Sequence, residues 1–410
     1  MAGVPNHELP SPFIQRMNVL FCTSSYYPAV TGGAERQARL QARELVRRGH
    51  RVTVVCPEDA GLRSQAVDGV PIVRLYRIDR WPFTRISYFV HLFWWLWRHV
   101  REFDLVHVHL ANIQGDLAVL VGRRWRRPTY LKVACGGIVG EVHRLRAVAL
   151  LTRWYGFRHA DRIQALSSEI TQELRSIGVR ADRIVEISNG IDLDEFSPVD
   201  RSRRMELRAA LDLPQEAVVA VFVGRLVAYK GIDDLLGAWQ SDVGEAQLVI
   251  VGATNEHLSI PPGVIVREWV NSARDYMRAA DLFVHPSYAD GMSNALLEAM
   301  ACGLPLVATE HGGTRGFIEH EREALLVPAR DASALAAAVA RLTADSELRS
   351  ALGGASRASA ERYGIPPVVD QIEREYRALL VHGPPGKGSR GLPSHVDLRK
   401  GRRRGRTEAF

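Results

Sequence analysis

The chain has 410 residues, enough for two domains at roughly 150 residues each, and 46% of them are apolar, which excludes a disordered polymer and permits real cores. Its net charge is +7, but Gly383 to Phe410 contributes +6 of it through eight basic and two acidic residues, so the body carries about +1 and charge gives no reason to expect nucleic acid. The four cysteines, Cys22, Cys56, Cys135 and Cys302, form no C-x-x-C pair, which argues against a zinc site or a disulfide framework and fits a reducing cytosol.

No basic patch followed by an apolar stretch opens the chain, so no signal peptide is read in MAGVPNHELPSPF. The longest apolar stretch, Tyr88 to Trp97, is interrupted by His91 and falls far short of the ~20 residues a membrane span needs. The expected location is the cytoplasm, with membrane contact at most at the inner face.

Short apolar runs alternate with helix-period segments. Strands are expected at Asn18–Cys22, Val52–Cys56, Ile72–Leu75, Leu105–His109, Tyr130–Ala134, Arg162–Leu166 and Ile184–Ile187. A second series follows at Val218–Val223, Gln247–Val251, Val264–Val266, Leu282–His285, Leu304–Val307 and Ala324–Val327. Continuous Val/Ile/Leu runs indicate parallel strands buried on both faces, and alternation with helices gives doubly wound α/β sheets. In the first helix, Ala38, Ala42, Leu45 and Val46 share a face and Gly49 stands where a C-terminal glycine belongs. The polar stretch Pro198 to Arg204 separates the series. The expected layout is an N-terminal extension (1–16), a Rossmann-like domain on the acceptor side (17–198) and a second for the nucleotide sugar (199–365). A C-terminal helix (366–381) and a basic disordered tail (382–410) complete it.

The most informative segment reads ADLFVHPSYADGMSNALLEAMACGLPLVA, from Ala280 to Ala308. It is a strand, a loop, a helix and a strand, and the loop meets a helix N-terminus, where free N–H groups favour an anion. Asp290 precedes that site and Glu298 follows it, eight positions later. Carboxylates accept well from sugar hydroxyls and repel phosphate, so the pattern suits a ligand with both parts, a sugar nucleotide. Arg225 lies just past the end of the Val218–Val223 strand and Lys230 precedes the next helix, the crevice where such sheets bind ligands. Two cations there would stabilise a departing diphosphate. Gly32 and Gly33 open a helix after a strand and would let backbone approach a phosphate or sugar.

These motifs, in this order, resemble glycosyltransferase family 4, retaining enzymes of the GT-B fold, over about Met17 to Leu380. The resemblance rests on YYPAVTGGAERQARLQARELVRRGHRVTVV, FDLVHVH, ISNGIDLDEF, VGRLVAYKGIDDLL and ADGMSNALLEAMACGLP. It implies two Rossmann-like domains around a cleft, a nucleotide-sugar donor bound mostly by the second, an acceptor bound mostly by the first, retention and no metal, without fixing the sugar or the acceptor. The expected reaction moves a hexose from a UDP- or GDP-sugar to an acceptor hydroxyl, with no cofactor. It implies that Arg225 and Lys230 contact phosphate, that Glu298 accepts from the ribose hydroxyls and that Asp290 meets the transferred sugar. The backbone at Gly291, Met292 and Ser293 would face sugar and phosphate. The acceptor, which the resemblance does not fix, is expected to be a lipid-linked or polysaccharide glycan. Two positions depart from the family pattern. Asp290 stands where Glu is usual, and Cys135, in LKVACGG, stands where many members carry His. A His base from that strand is therefore absent, which fits a mechanism in which the leaving phosphate takes the acceptor's proton.

Other features carry plainer readings. His107 and His109 share a strand face and are expected to be structural, as is His285. Asp192-Leu193-Asp194 is expected to be a turn and not a metal site, and GPPGKGS at Gly383 to Ser389 lacks phosphate-loop spacing. On a helix from Arg85 to Arg101, Phe89, Phe93, Leu96, Trp97 and Val100 form the expected buried stripe, leaving Trp94 and Trp95 outside it. Those tryptophans suit a membrane interface, an apolar acceptor or packing under a neighbouring loop, and the basic tail would add attraction to anionic lipid. Three rival functions stay open. They are a nucleotide-sugar epimerase on the same fold, a non-catalytic nucleotide-sugar-binding protein and, disfavoured by the missing G-x-G-x-x-G, a nicotinamide oxidoreductase.

Overall fold

A computed structural model describes residues 16–382, apart from 30–31, 59–61, 63, 79, 81–82, 138–139, 147–154 and 253–258. Residues 1–15 and, of the expected basic tail, residues 383–410 lie outside the described residues, while His382 still belongs to the last helix. Two sheets organise the chain. The first holds β1 (Asn18–Cys22), β2 (Arg51–Pro57), β3 (Gln65–Val67), β4 (Val70–Leu75), β5 (Leu105–Val108), β6 (Thr129–Val133), β7 (Arg162–Ala165) and β8 (Ile184–Glu186). Their spatial order is β3-β4-β2-β1-β5-β6-β7-β8. The second holds β9 (Val219–Val223), β10 (Gln247–Val251), β11 (Val264–Arg267), β12 (Leu282–His285), β13 (Leu306–Thr309) and β14 (Ala324–Val327), ordered β11-β10-β9-β12-β13-β14. Every pairing is parallel except β3 with β4.

That exception was not foreseen. Asp68 and Gly69 connect β3 to β4 with positive φ of 53° and 75°, the left-handed pair that a tight hairpin turn requires. β13 begins two residues later than expected. Gly303 (φ 74°) ends the preceding helix, its N–H and that of Leu304 donating to Met300 and Ala299 carbonyls, a left-handed cap that occupies the residues before the strand.

The central strands are buried along their length: β5, β6, β12 and β13 have no exposed position. In the Gly33–Arg47 helix, Ala38, Ala42 and Leu45 are buried as expected. The Ile365–His382 helix returns to the first sheet. Val368, Val369, Ile372 and Tyr376 join the core of β1, β2 and the first helix, and Glu373 receives His50 Nε2 at 2.9 Å and Arg48 Nη1 at 3.0 Å. The chain thus crosses between the sheets twice, which ties the halves together.

The Phe83–His99 helix corrects the expected stripe. Leu96 and, in the turn after the helix, Val100 are buried as expected, but Tyr88 and Leu92 continue their line, while Phe89, Phe93 and Trp97 are half-buried. Trp95 is packed rather than displayed, with its ring 5.0 Å from His99 and 6.4 Å from Phe103. Trp94 remains 49% exposed. Aromatic and aliphatic residues on several faces leave the phase of this helix ambiguous in sequence.

Candidate active site

Each sheet has one place where its strand order reverses, at β1/β5 and at β9/β12. Loops leaving neighbouring strands in opposite directions open a crevice there. The two crevices face each other across one cleft of about 650 Å³. Of the residues singled out from sequence, Gly32, Gly33, Arg225, Lys230, Asp290, Met292, Ser293 and Glu298 line it, and so does Cys135.

On the second domain, Arg225 follows β9 with an exposed guanidinium whose Nη2 lies 2.7 Å from Tyr229 Oη. Lys230 is not left for a ligand alone. Its Nζ lies 2.5 Å from Asp290 Oδ2, both side chains about 15% exposed. Adjacency of β9 and β12 brings their following loops together, so cation and carboxylate meet. Burial opposes the charge on Asp290, but Lys230 and then His285 outweigh it and hold the carboxyl below its ordinary range. His285 is fully buried, and burial followed by Lys230 keeps its imidazole neutral, well below the usual pKa.

Gly291 departs from expectation. Its N–H donates to the Asp290 carboxylate at 3.0 Å, and it is absent from the cleft lining. A Cβ there would lie 1.9 Å from the Ala134 carbonyl oxygen, so glycine is needed for the two domains to touch. Met292 and Ser293 do reach the cleft at the start of the Asn294–Ala301 helix.

Glu298 is 4% exposed. Its Oε1 takes Arg36 Nη1 of the opposite domain at 2.8 Å, and the guanidinium also lies 4.9 Å from the centre of the Phe196 ring. Burial raises the Glu298 carboxyl to about 7, with Arg36 opposing and Glu195 adding to the rise. Arg36 was not singled out from sequence. The available signal was its position one turn after Gly32 and Gly33, which puts it on the glycines' side of the helix.

A chain of amides forms the floor. Asn294 Nδ2 donates to the Gly33 carbonyl at 3.0 Å, and a Cβ on Gly33 would sit 2.8 Å from that nitrogen. Asn189 Nδ2 donates to Asn294 Oδ1 at 2.9 Å and to the Met292 carbonyl at 3.0 Å, while Lys132 Nζ donates to Asn189 Oδ1 at 2.7 Å. Lys132 and Asn189 were also missed.

His107 and His109 are buried behind the cleft, ring centroids 4.0 Å apart. Burial keeps both neutral, which agrees with a structural role. Asp192 Oδ1 accepts from the N–H groups of Asp194 and Glu195, the turn expected of that triplet.

Comparison with known proteins gives the family. Residues 31–195 match the family described as Glycosyltransferase Family 4, and residues 217–345 match Glycosyl transferases group 1. The chain is 30% identical over 353 residues to TuaC of Bacillus subtilis, named as a teichuronic acid biosynthesis glycosyltransferase, with 79% of this chain and 89% of that protein covered. It is 27% identical over 360 residues to a D-inositol 3-phosphate glycosyltransferase of Xylanimonas cellulosilytica, covering 79% and 86%. Among solved structures, Anabaena HepE in complex with UDP-glucose superposes with a TM-score of 0.74 at 20% identity, covering 89% of this chain and all of HepE. Sucrose-phosphate synthase from Thermosynechococcus elongatus gives 0.74 at 24%, covering 90% of this chain and all of that one. The chain belongs to glycosyltransferase family 4 and is a glycosyltransferase of the GT-B fold.

Proposed function

We propose that this enzyme transfers a hexose from a UDP- or GDP-sugar to an acceptor hydroxyl with retention, the acceptor being a lipid-linked or polysaccharide glycan. One observation carries the reading: a single cleft at both sheet reversals places Arg225 and Lys230 near the start of the Asn294–Ala301 helix, with a buried carboxylate, Glu298, on that same helix. Cations and backbone N–H groups suit a diphosphate, and a carboxylate suits ribose hydroxyls. That HepE was solved with UDP-glucose supports a nucleotide-sugar donor.

In this mechanism the acceptor attacks from the face the diphosphate leaves. The departing phosphate oxygen takes the acceptor proton as the new glycosidic bond forms. Arg225 and Lys230 stabilise the charge on the leaving group. Contact between the domains excludes water and limits hydrolysis.

A thermal-shift panel of UDP- and GDP-sugars tests the donor. One nucleotide series should raise the melting temperature in proportion to ln of its concentration above Kd. No shift with any sugar nucleotide would contradict the reading, and an isomerised sugar formed without acceptor would favour the epimerase.

The acceptor side carries a surface that favours lipid. Ile86, Val90 and Trp94 lie at i, i+4 and i+8 on the Phe83–His99 helix and are 58%, 49% and 49% exposed, beside Tyr76 and Ile78. Exposed Arg98 and Arg101 follow on the chain with one exposed acid, Glu102; Arg98 lies 5.6 Å from the centre of the Trp94 ring and Arg124 5.8 Å from that of Trp97. An apolar line with these arginines fits an anionic membrane surface, and no described helix is long and apolar enough to cross one. Serine at 86, 90 and 94 together should abolish co-sedimentation with phosphatidylglycerol vesicles. Equal binding by the triple variant would refute this surface.

A further inference from the structure

β6 is buried from end to end. Tyr130 and Lys132 share one of its faces. Tyr130 packs against Tyr376 and His107, so the next residue on that face, Lys132, reaches the strand's C-terminal end, where it lines the cleft while only 1% exposed. An ammonium has three N–H donors. Among the described residues it finds one side-chain acceptor, Asn189 Oδ1, and no carboxylate within ion-pair distance. The acid that acts on it electrically, Glu141, turns its two oxygens to the N–H groups of Ala134 and Cys135, at 2.9 and 2.8 Å. Asn189 is itself fixed by the Met292 carbonyl and Asn294, so the ammonium is aimed rather than mobile.

A buried cation with one neutral partner is costly unless an anion completes its shell. Arg225 and Lys230 belong to the second domain, and Lys230 already holds Asp290. From these contacts we infer that Lys132 is a further substrate-binding residue, supplying from the first domain a direct contact to a phosphate oxygen in the closed cleft. The inference rests on the donor-site reading above and adds to it a cation on the opposite wall. The phosphate belongs either to the leaving diphosphate or to a phosphorylated acceptor. Burial depresses the Lys132 ammonium to about 7, so its engagement with an anion draws a proton from solvent at pH 8.

Lys132→Met keeps the length of the side chain and removes a buried charge, and Lys132→Arg restores a cation. Calorimetry of UDP, GDP, uridine, guanosine and inorganic phosphate, each in two buffers of different ionisation enthalpy, tests the inference. If the phosphate is the donor's, Lys132→Met weakens the preferred nucleoside diphosphate at least tenfold and leaves its nucleoside unchanged. If it is the acceptor's, diphosphate affinity is kept, and inorganic phosphate binding to the diphosphate-saturated enzyme is lost. In either case the variant loses proton uptake that the wild type shows at pH 8. Of the other titratable groups around the site, His107 and His109 feel the Lys132 charge, but burial, the larger cause, keeps both neutral at pH 8 with or without it, while Glu141 and Glu298 are present in both proteins. Unaltered diphosphate binding, phosphate binding and proton uptake together would overturn the inference. Failure of the wild type to bind either diphosphate would instead defeat the donor reading, and the phosphate arm alone would then decide on Lys132.

Discussion

Lys230→Met is expected to lower kcat/KM at least a hundredfold and to destabilise the free enzyme. Removing one preorganised donor to a leaving group costs about 100- to 1,000-fold in rate. In the unliganded protein the same ammonium is the partner of Asp290, in a pair whose side chains are 15% and 16% exposed. Taking one member from such a pair strands the other charge, at ~3–5 kcal/mol. The two losses are separable. Lys230→Met with Asp290→Asn should recover most of the stability, because no charge is left unpaired, and none of the rate. The pH behaviour follows from the sign of the Asp290 shift. A folded-state carboxyl held below its ordinary 3.8 stabilises the fold above that pH, and the benefit is lost as acid protonates it. Without Lys230, burial is opposed only by the weaker influence of His285 and His311, and the penalty should extend toward neutral pH. Melting temperatures from pH 3 to 8 and steady-state rates for the three proteins check this. A Lys230→Met enzyme with wild-type turnover would remove Lys230 from the mechanism.

Glu298→Gln should weaken donor binding about 10- to 100-fold, the ~1.5–3 kcal/mol carried by hydrogen bonds to a charged group. Burial raises this carboxyl to about 7, and accepting from two ribose hydroxyls needs the ionised form. Donor affinity of the wild type should therefore fall about tenfold for each pH unit below 7, while the Gln variant stays flat. Stability moves the other way. A raised carboxyl makes the folded state bind its proton more tightly, so stability is highest below the ordinary 4.5 and declines as pH rises through about 7. The decline is on the order of 3 kcal/mol at ~1.4 kcal/mol per unit, and Glu298→Gln should abolish it. A wild-type donor affinity independent of pH between 5 and 8 would contradict the assignment.

The sheets could be read from sequence because their strands are runs such as Val219–Val223 and Leu248–Val251, buried on both faces and needing no partner information. The β3–β4 hairpin was overlooked although Asp68-Gly69 announces it, because the flanking strand is only three residues long. Arg225, Lys230, Asp290 and Glu298 were legible as chemistry beside strand ends and helix starts. Their pairings were not. Lys230 meets Asp290 across 60 residues and Arg36 meets Glu298 across the domain gap, contacts set by strand order and domain contact. Lys132 was hidden for a related reason. A lysine inside an apolar run looks like an edge-strand residue until the fold shows that the strand is central and its end opens on the cleft.

A crystal structure of the enzyme with a non-hydrolysable UDP- or GDP-hexose tests the central claim most directly. The account predicts the diphosphate within hydrogen-bond reach of Arg225, Lys230 and the Ser293 amide, with ribose hydroxyls on Glu298. A nucleotide bound outside this cleft, or bound within it with its phosphates turned away from both cations, would contradict it.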